Sequence, residues 1–251
     1  MRSICAVLAL IATLVAPAHG AHAQADVALV LAVDVSGSVN DARFALQREG
    51  IADALDSAAC AGLVSGGPRG TIEIAVVEWA EEQAVILPWT AVRGREDLAA
   101  IALRLRHADR AWVHTRTDPG GGIARAAALF DDAPLVPDRK VIDVSGDGAQ
   151  NAGEVPTSVA RDIAVAQDVT VNGLPITSGE EPQVDDWYRA NVVGGVGSFV
   201  VVADGFDAFA DAFHRKLLLE VAGLRPTQTL AYRRAPAAIR TTFSVWQVGQ
   251  P

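Results

Sequence analysis

Residues 26–33, DVALVLAV, are apolar at nearly every position, and the run stops on Asp34. A strand wetted on one face alternates apolar and polar side chains, so a run this uniform reads as a strand buried on both faces. Such strands occur in parallel sheets that are covered by helices on both sides. The rest of the chain supports that reading. Residues 71–79, 140–145, 169–176 and 199–202 also read as strands, and 83–87 as a short hairpin partner of the second. Helical spacing is found over 41–58, 96–106, 120–130, 155–167 and 206–220, with a Gly/Ser/Pro loop at 62–70. In the last helix Phe206, Phe209, Phe213 and Leu217 share one side. Strands alternating with helices predict an α/β protein with a doubly wound, mostly parallel central sheet and helices on both faces.

Composition narrows the class. Half of the residues are hydrophobic, enough to bury a sizeable core and to exclude wholesale disorder. The formal charge of −9 is the reverse of the basic footprint of a nucleic-acid binder. Residues 1–23 carry Arg2, an apolar stretch over 4–15 and the small-x-small triplet Ala21-His22-Ala23, the pattern of a secretory signal peptide. The apolar stretch of about 12 residues is short of the ~20 that span a bilayer. Cleavage near Gln24 removes Cys5, so Cys60 is left without an internal disulfide partner and is expected as a small buried hydrophobe. The domain is expected over 24–221, followed by a basic tail, 222–251, with four Arg and no acid, either solvated or docked. A periplasmic or secreted protein with no membrane span after cleavage follows.

In doubly wound sheets, ligands bind beyond the carboxyl ends of the strands. Three such places carry oxygen donors: Asp34-Val35-Ser36-Gly37-Ser38 after the first strand, Asp147-Gly148 after 140–145, and Thr117 in Thr115-Arg116-Thr117-Asp118-Pro119. Two carboxylates and three hydroxyls suit a hard divalent cation, Mg²⁺ foremost, with Mn²⁺ or Ca²⁺ as alternatives. So few formal charges leave the ion able to accept an anionic ligand from outside. Each group has a plainer role available. Ser36 or Ser38 could cap a helix, Asp147 could serve a turn, and Asp143 could be a satisfied core carboxylate.

Asp34-Val35-Ser36-Gly37-Ser38 resembles the Asp-x-Ser-x-Ser motif of von Willebrand factor A domains, and the downstream Thr and Asp-Gly match that family in order. The phrases VEWA, LPWT, RKVIDVSGDG and NGLPI are similar to those of a bacterial exported family of unknown function with this fold. The resemblance covers most of 26–221. It implies a metal-ion-dependent adhesion site in which Ser36, Ser38 and Thr117 ligate the ion, with Asp34 and Asp147 acting directly or through water. Thr115 is the alternative to Thr117. Asp143, Glu78, Arg116 and Asn151 are expected around the site. The implied function is binding of a protein or peptide whose Asp or Glu carboxylate completes the metal shell.

Enzyme signatures are missing from the sequence. There is no Gly-x-Ser-x-Gly, His-Glu-x-x-His or Walker A motif, and Gly194-Gly195-Val196-Gly197 lacks the third glycine and following helix of a dinucleotide loop. The chain therefore reads as a binding module and not an enzyme. The alternatives are a Mg²⁺-dependent hydrolase of small anionic substrates and an envelope structural protein with a vestigial site. Trp79 and Trp112 are either core residues or partner anchors beside Glu81, Glu82, Gln150 and the 178–181 turn.

Overall fold

The computed structural model describes residues 23–113, 116–178 and 181–226. The proposed signal peptide, Thr115, His114 and most of the basic tail lie outside them. In chain order the strands are β1 (Gln24–Ala25), β2 (Ala28–Asp34), β3 (Ile72–Trp79), β4 (Gln83–Val92), β5 (Val136–Pro137), β6 (Lys140–Gly146) and β7 (Val169–Pro175). The helices are α1 (Asp41–Leu55), α2 (Ala58–Gly66), α3 (Arg95–Arg106), α4 (Pro119–Ala128), α5 (Thr157–Val165), α6 (Val184–Asn191) and α7 (Phe209–Ala222).

Five strands form the main sheet in the order β4-β3-β2-β6-β7, parallel except for the β3–β4 hairpin; β1 and β5 pair separately. Every residue of β2 is buried, because alternate side chains meet two different helical layers. Ala28, Val30 and Ala32 face α4, α5 and α6, together with Val77, Trp79, Ile142 and Tyr188. Leu29, Leu31 and Val33 face α1, α2, α3 and α7, together with Val76, Leu98, Phe209 and Phe213. This is the doubly wound architecture expected from the apolar runs.

Four segments depart from the sequence reading. The 41–58 helix ends at Leu55, and a separate α2 occupies most of the stretch read as a loop. Its start is fixed by Ser57, whose hydroxyl accepts from Cys60 N at 3.1 Å, and Cys60 and Val64 bury one side of it. Residues 184–191, given no element from sequence, form α6 and bury Val184 and Tyr188. Strand β4 continues to Val92 through Pro88, which an edge strand tolerates. Residues 199–203 are not a strand. They follow the outer edge of β7 through isolated bridges at Gly173–Val200 and Ile176–Ala203.

Cys60 is fully buried, and burial pushes its thiol up to about 11. Trp79 is fully buried against α4, where a Cβ on Gly122 would approach its ring to 2.8 Å, so it is a core residue and not a partner anchor. No described helix is long and apolar enough to cross a membrane.

Candidate metal centre

The carboxyl ends of β2 and β6 are neighbours in the sheet, which brings Asp34 beside the turn that holds Asp147. The loop after β2 folds back on itself: Ser36 N donates to Asp34 Oδ1 at 2.7 Å, and Val39 N to Ser36 O at 3.0 Å. The two hydroxyls are 3.3 Å apart, and Ser38 Oγ donates to Asp147 Oδ1 at 2.6 Å. Neither serine caps α1. Asn40 does so, its side chain accepting from Arg43 N. That leaves both hydroxyls available to the site.

Thr117 reaches the same end from the loop before α4. It is buried, and its hydroxyl lies beside the Asp147-Gly148 turn, 3.9 Å from where a Cβ on Gly148 would sit. Asn151 fixes its backbone, with Thr117 N donating to Asn151 Oδ1 at 2.7 Å and Asn151 N donating to Thr117 O at 2.9 Å. Arg116 adds an outer strap, donating to Asn151 O at 2.9 Å and pairing with Glu81 at 3.2 Å. The next residue, Asp118, caps α4 through Gly121 N. Gly153 permits that arrangement: it has φ 83°, and a Cβ there would strike the Asp118 carboxylate.

Asp34, Ser36, Ser38, Thr117 and Asp147 thus share one end of the sheet, with Arg116 and Asn151 behind Thr117. Glu78 and Asp143 do not join them. Glu78 pairs in register with Val33 and so projects to the α1 and α3 side, where it pairs with Arg48 and accepts from Ala111 N. Asp143 projects to the α7 side and pairs with Lys216 Nζ at 2.6 Å. Strand alternation sends both away from Asp34.

Two residues that support the loops, Arg110 and Arg43, went unread in the sequence, and a third, Gln150, was read only as flanking the site. Arg110 Nη2 donates to the carbonyls of Val35, Ser36 and Val39 at 2.6, 3.1 and 2.7 Å, gathering the loop after β2 around one guanidinium. Arg43 Nη1 donates to Ser38 O at 2.6 Å and lies 3.5 Å from Asp147 Oδ2. Gln150 receives Thr157 N and donates to Ala152 O and Val155 O, closing the loop after β6. Arg110 and Arg43 act between segments far apart in sequence, and a single chain gives no local signal for such contacts. A cavity of about 840 Å³ opens beside Arg43, between the start of α1 and residues 204–207, with Asn40, Leu46, Thr177 and Phe206 in its walls.

The electrostatics of the pocket are those of a site short of positive charge. Burial, and next the nearby Asp147 carboxylate, push Asp34 up to about 7. Its Oδ2 is fully buried and has no hydrogen-bond partner among the described residues. A cation held between the two carboxylates would relieve both costs. The donors present are two carboxylates and three hydroxyls, all hard oxygens, so the set suits a hard divalent ion better than a thiophilic one.

Sheet order, the two helical layers and this cluster of loops define a von Willebrand factor A fold, and solved structures agree. The chain superposes on proximal thread matrix protein 1 from the mussel byssus with a TM-score of 0.58 and 17% identity, over 80% of this chain and 49% of that one. The corresponding values for the von Willebrand factor type A protein from Catenulispora acidiphila are 0.55, 19%, 79% and 43%. For the vWF domain of the type V pili tip protein Mfa5 from Porphyromonas gingivalis they are 0.55, 11%, 83% and 99%. The chain therefore spans about half the length of the mussel protein and nearly all of the Mfa5 domain. Residues 24–225 match the family model described as protein of unknown function (DUF1194), and the chain belongs to that family. No curated protein matches it significantly.

Proposed function

We propose that this is an exported binding module, in which Asp34, Ser36, Ser38, Thr117 and Asp147 hold a divalent cation, Mg²⁺ foremost. A carboxylate from a protein or peptide partner completes the shell. The observation that carries the reading is the pairing of a buried, half-satisfied Asp34 with the Ser38–Asp147 hydrogen bond at one strand end. When bound, the ion supplies a positive charge and an open position for an anionic ligand. The protein's own residues do the rest. Arg110 keeps the hydroxyl-bearing loop in shape, Asn151 holds Thr117 in place, and Arg43 brings a second positive charge to the edge where the partner arrives.

Two neighbours in fold support this reading. Proximal thread matrix protein 1 has been solved with a zinc-occupied MIDAS motif, and Mfa5 is a pilus tip protein. The signal-peptide pattern over 1–23 supports export to the periplasm or beyond.

The test is isothermal titration of Mg²⁺, Mn²⁺, Ca²⁺ and Zn²⁺ into the metal-stripped protein, with Asp34→Ala as control. Saturable one-site binding that disappears in the variant supports the site. Heat no different from the variant's up to millimolar metal removes it. Turnover of phosphate or carboxylate esters, lost in Asp34→Ala, would replace the binding reading with a hydrolase.

A further inference from the structure

Behind Asp34 lies a side chain to which the site as described gives no role. Tyr188, on α6, is fully buried, yet its hydroxyl has no hydrogen-bond partner among the described residues. Asp34 Oδ2 is in the same condition. The two atoms flank one point. A Cβ on Gly146 would sit 2.7 Å from Tyr188 OH and 2.7 Å from Asp34 Oδ2, so the two oxygens are separated by no more than twice that distance. The Tyr188 hydroxyl has no acceptor and Asp34 Oδ2 no donor in hydrogen-bond geometry, while the Asp147 backbone N–H is near enough to Asp34 to favour its ionised form. An apolar side chain would fill the space behind Asp34 without the cost of an unmet hydroxyl.

The sheet is shaped to deliver this hydroxyl. Gly173 on β7 lies under the ring, where a Cβ would approach Tyr188 Cδ1 to 3.0 Å. It pairs with Val144, two residues before Gly146 on β6, so both glycines lie on the α6 face along the length of the side chain. Glycine inside a strand weakens it, and its use at two neighbouring positions marks a close approach. The slot runs from α6 to the back of Asp34. Burial, with the carboxylates of Asp34, Asp147 and Asp143, holds the phenol well above its usual range, so it keeps the proton it would donate.

We propose that Tyr188 is a positioning residue for Asp34, its hydroxyl donating to Oδ2 while Ser36 N–H holds Oδ1. With a donor on each oxygen, the plane of the carboxylate is set before any ligand arrives. The consequence for metal affinity rests on the function proposed above; the contact itself does not.

Two measurements test this on the full chain. The first is Mn²⁺ titration of metal-stripped wild type and Tyr188→Phe, which differ by one hydroxyl. Loss of an outer hydrogen bond to a ligand should weaken binding about tenfold or more. Equal affinity in two proteins of equal far-UV spectrum overturns the proposal. The second needs no metal. The chain has two tyrosines, so the Tyr188 Cζ resonance of ¹³C-tyrosine-labelled protein is assigned by its loss in Tyr188→Phe. It should shift when Asp34→Asn replaces the acceptor oxygen pair with an amide, and an unmoved resonance overturns the contact. A resonance that moves, in a wild type that takes no metal, keeps the Tyr188–Asp34 pair and overturns the metal site instead.

Discussion

Ser38 donates its hydroxyl to Asp147 Oδ1 at 2.6 Å, across 109 positions of the sequence. The bond joins the loops that follow two adjacent parallel strands. It places a hydroxyl and a carboxylate around one point, beside Asp34, before any ion is considered. On the proposed function, Ser38→Ala should leave the fold intact and weaken divalent-metal binding by about tenfold or more. Titration calorimetry beside a thermal melt separates the two effects.

The raised Asp34 gives the apo protein a defined response to pH. An ordinary Asp, at 3.8, ionises well below the folded-state value of about 7. Folding is therefore favoured by this group below about pH 4, and that contribution is lost as pH rises through 7. Glu220, pushed up to about 8 first by burial and then by Asp143, acts in the same direction. The melting temperature of EDTA-treated protein should fall between pH 5 and 8. On the proposed function, metal binding requires the ionised Asp34, so affinity should climb with pH below about 7 and then level off. Melts with and without Mg²⁺ at each pH check both trends.

Arg110 organises the loop after β2 from within. Replacing it with Met deprives the carbonyls of Val35, Ser36 and Val39 of a charged donor. A loss of about 2–4 kcal/mol in unfolding free energy is expected, on the scale of buried groups left unsatisfied. Urea denaturation measures it, and hydrogen exchange in residues 35–39 should rise in the variant.

On the opposite face, Lys216 joins Asp143 and Glu220 at 2.6 and 2.5 Å, with Asn172 donating to Glu220 at 2.8 Å. Lys216→Met leaves the buried Asp143 carboxylate without its cation and takes a donor from Glu220, and should cost about 3–5 kcal/mol. Glu220→Gln should cost far less, because burial and Asp143 hold Glu220 above its usual range and Gln keeps an oxygen to accept from Lys216 and Asn172. Equal losses in the two variants by chemical denaturation would refute this arrangement of charge.

What could be read from the sequence was what is local. Uniformly apolar runs such as 28–33 announce strands covered on both faces, and Asp-x-Ser-x-Ser puts three donors within five residues. Sequence patterns missed features that depend on distant partners. Helix α2 looked like a loop because Gly62, Gly66 and Gly67 weigh against a helix, while its support comes from burial of Cys60 and Val64. Residues 199–203 have the apolar content of a strand, but only isolated bridges form beside β7. Glu78 and Asp143 were expected around the site, with a core role as the plainer reading of Asp143. Strand register, set by pairing across the sheet, turns both to the other side. Arg43 and Arg110 belong to no motif, and the fold alone gives them, and the Tyr188 hydroxyl, their places.

The margins of the main sheet also constrain how a partner can attach. At one margin, β4 meets β3 with shifts in register near Val76 and carries Pro88, which has no N–H to offer. At the other, residues 199–203 lie along β7 and take up part of its backbone. Neither margin presents the long, regular row of unpaired amides and carbonyls on which a foreign strand can be laid. Recognition by strand addition is thereby disfavoured, and with it the self-templated polymerisation that threatens crowded β-sheet proteins. This fits the proposed function, in which a partner engages the loops at the strand ends, where charge and hydroxyl placement can discriminate between ligands.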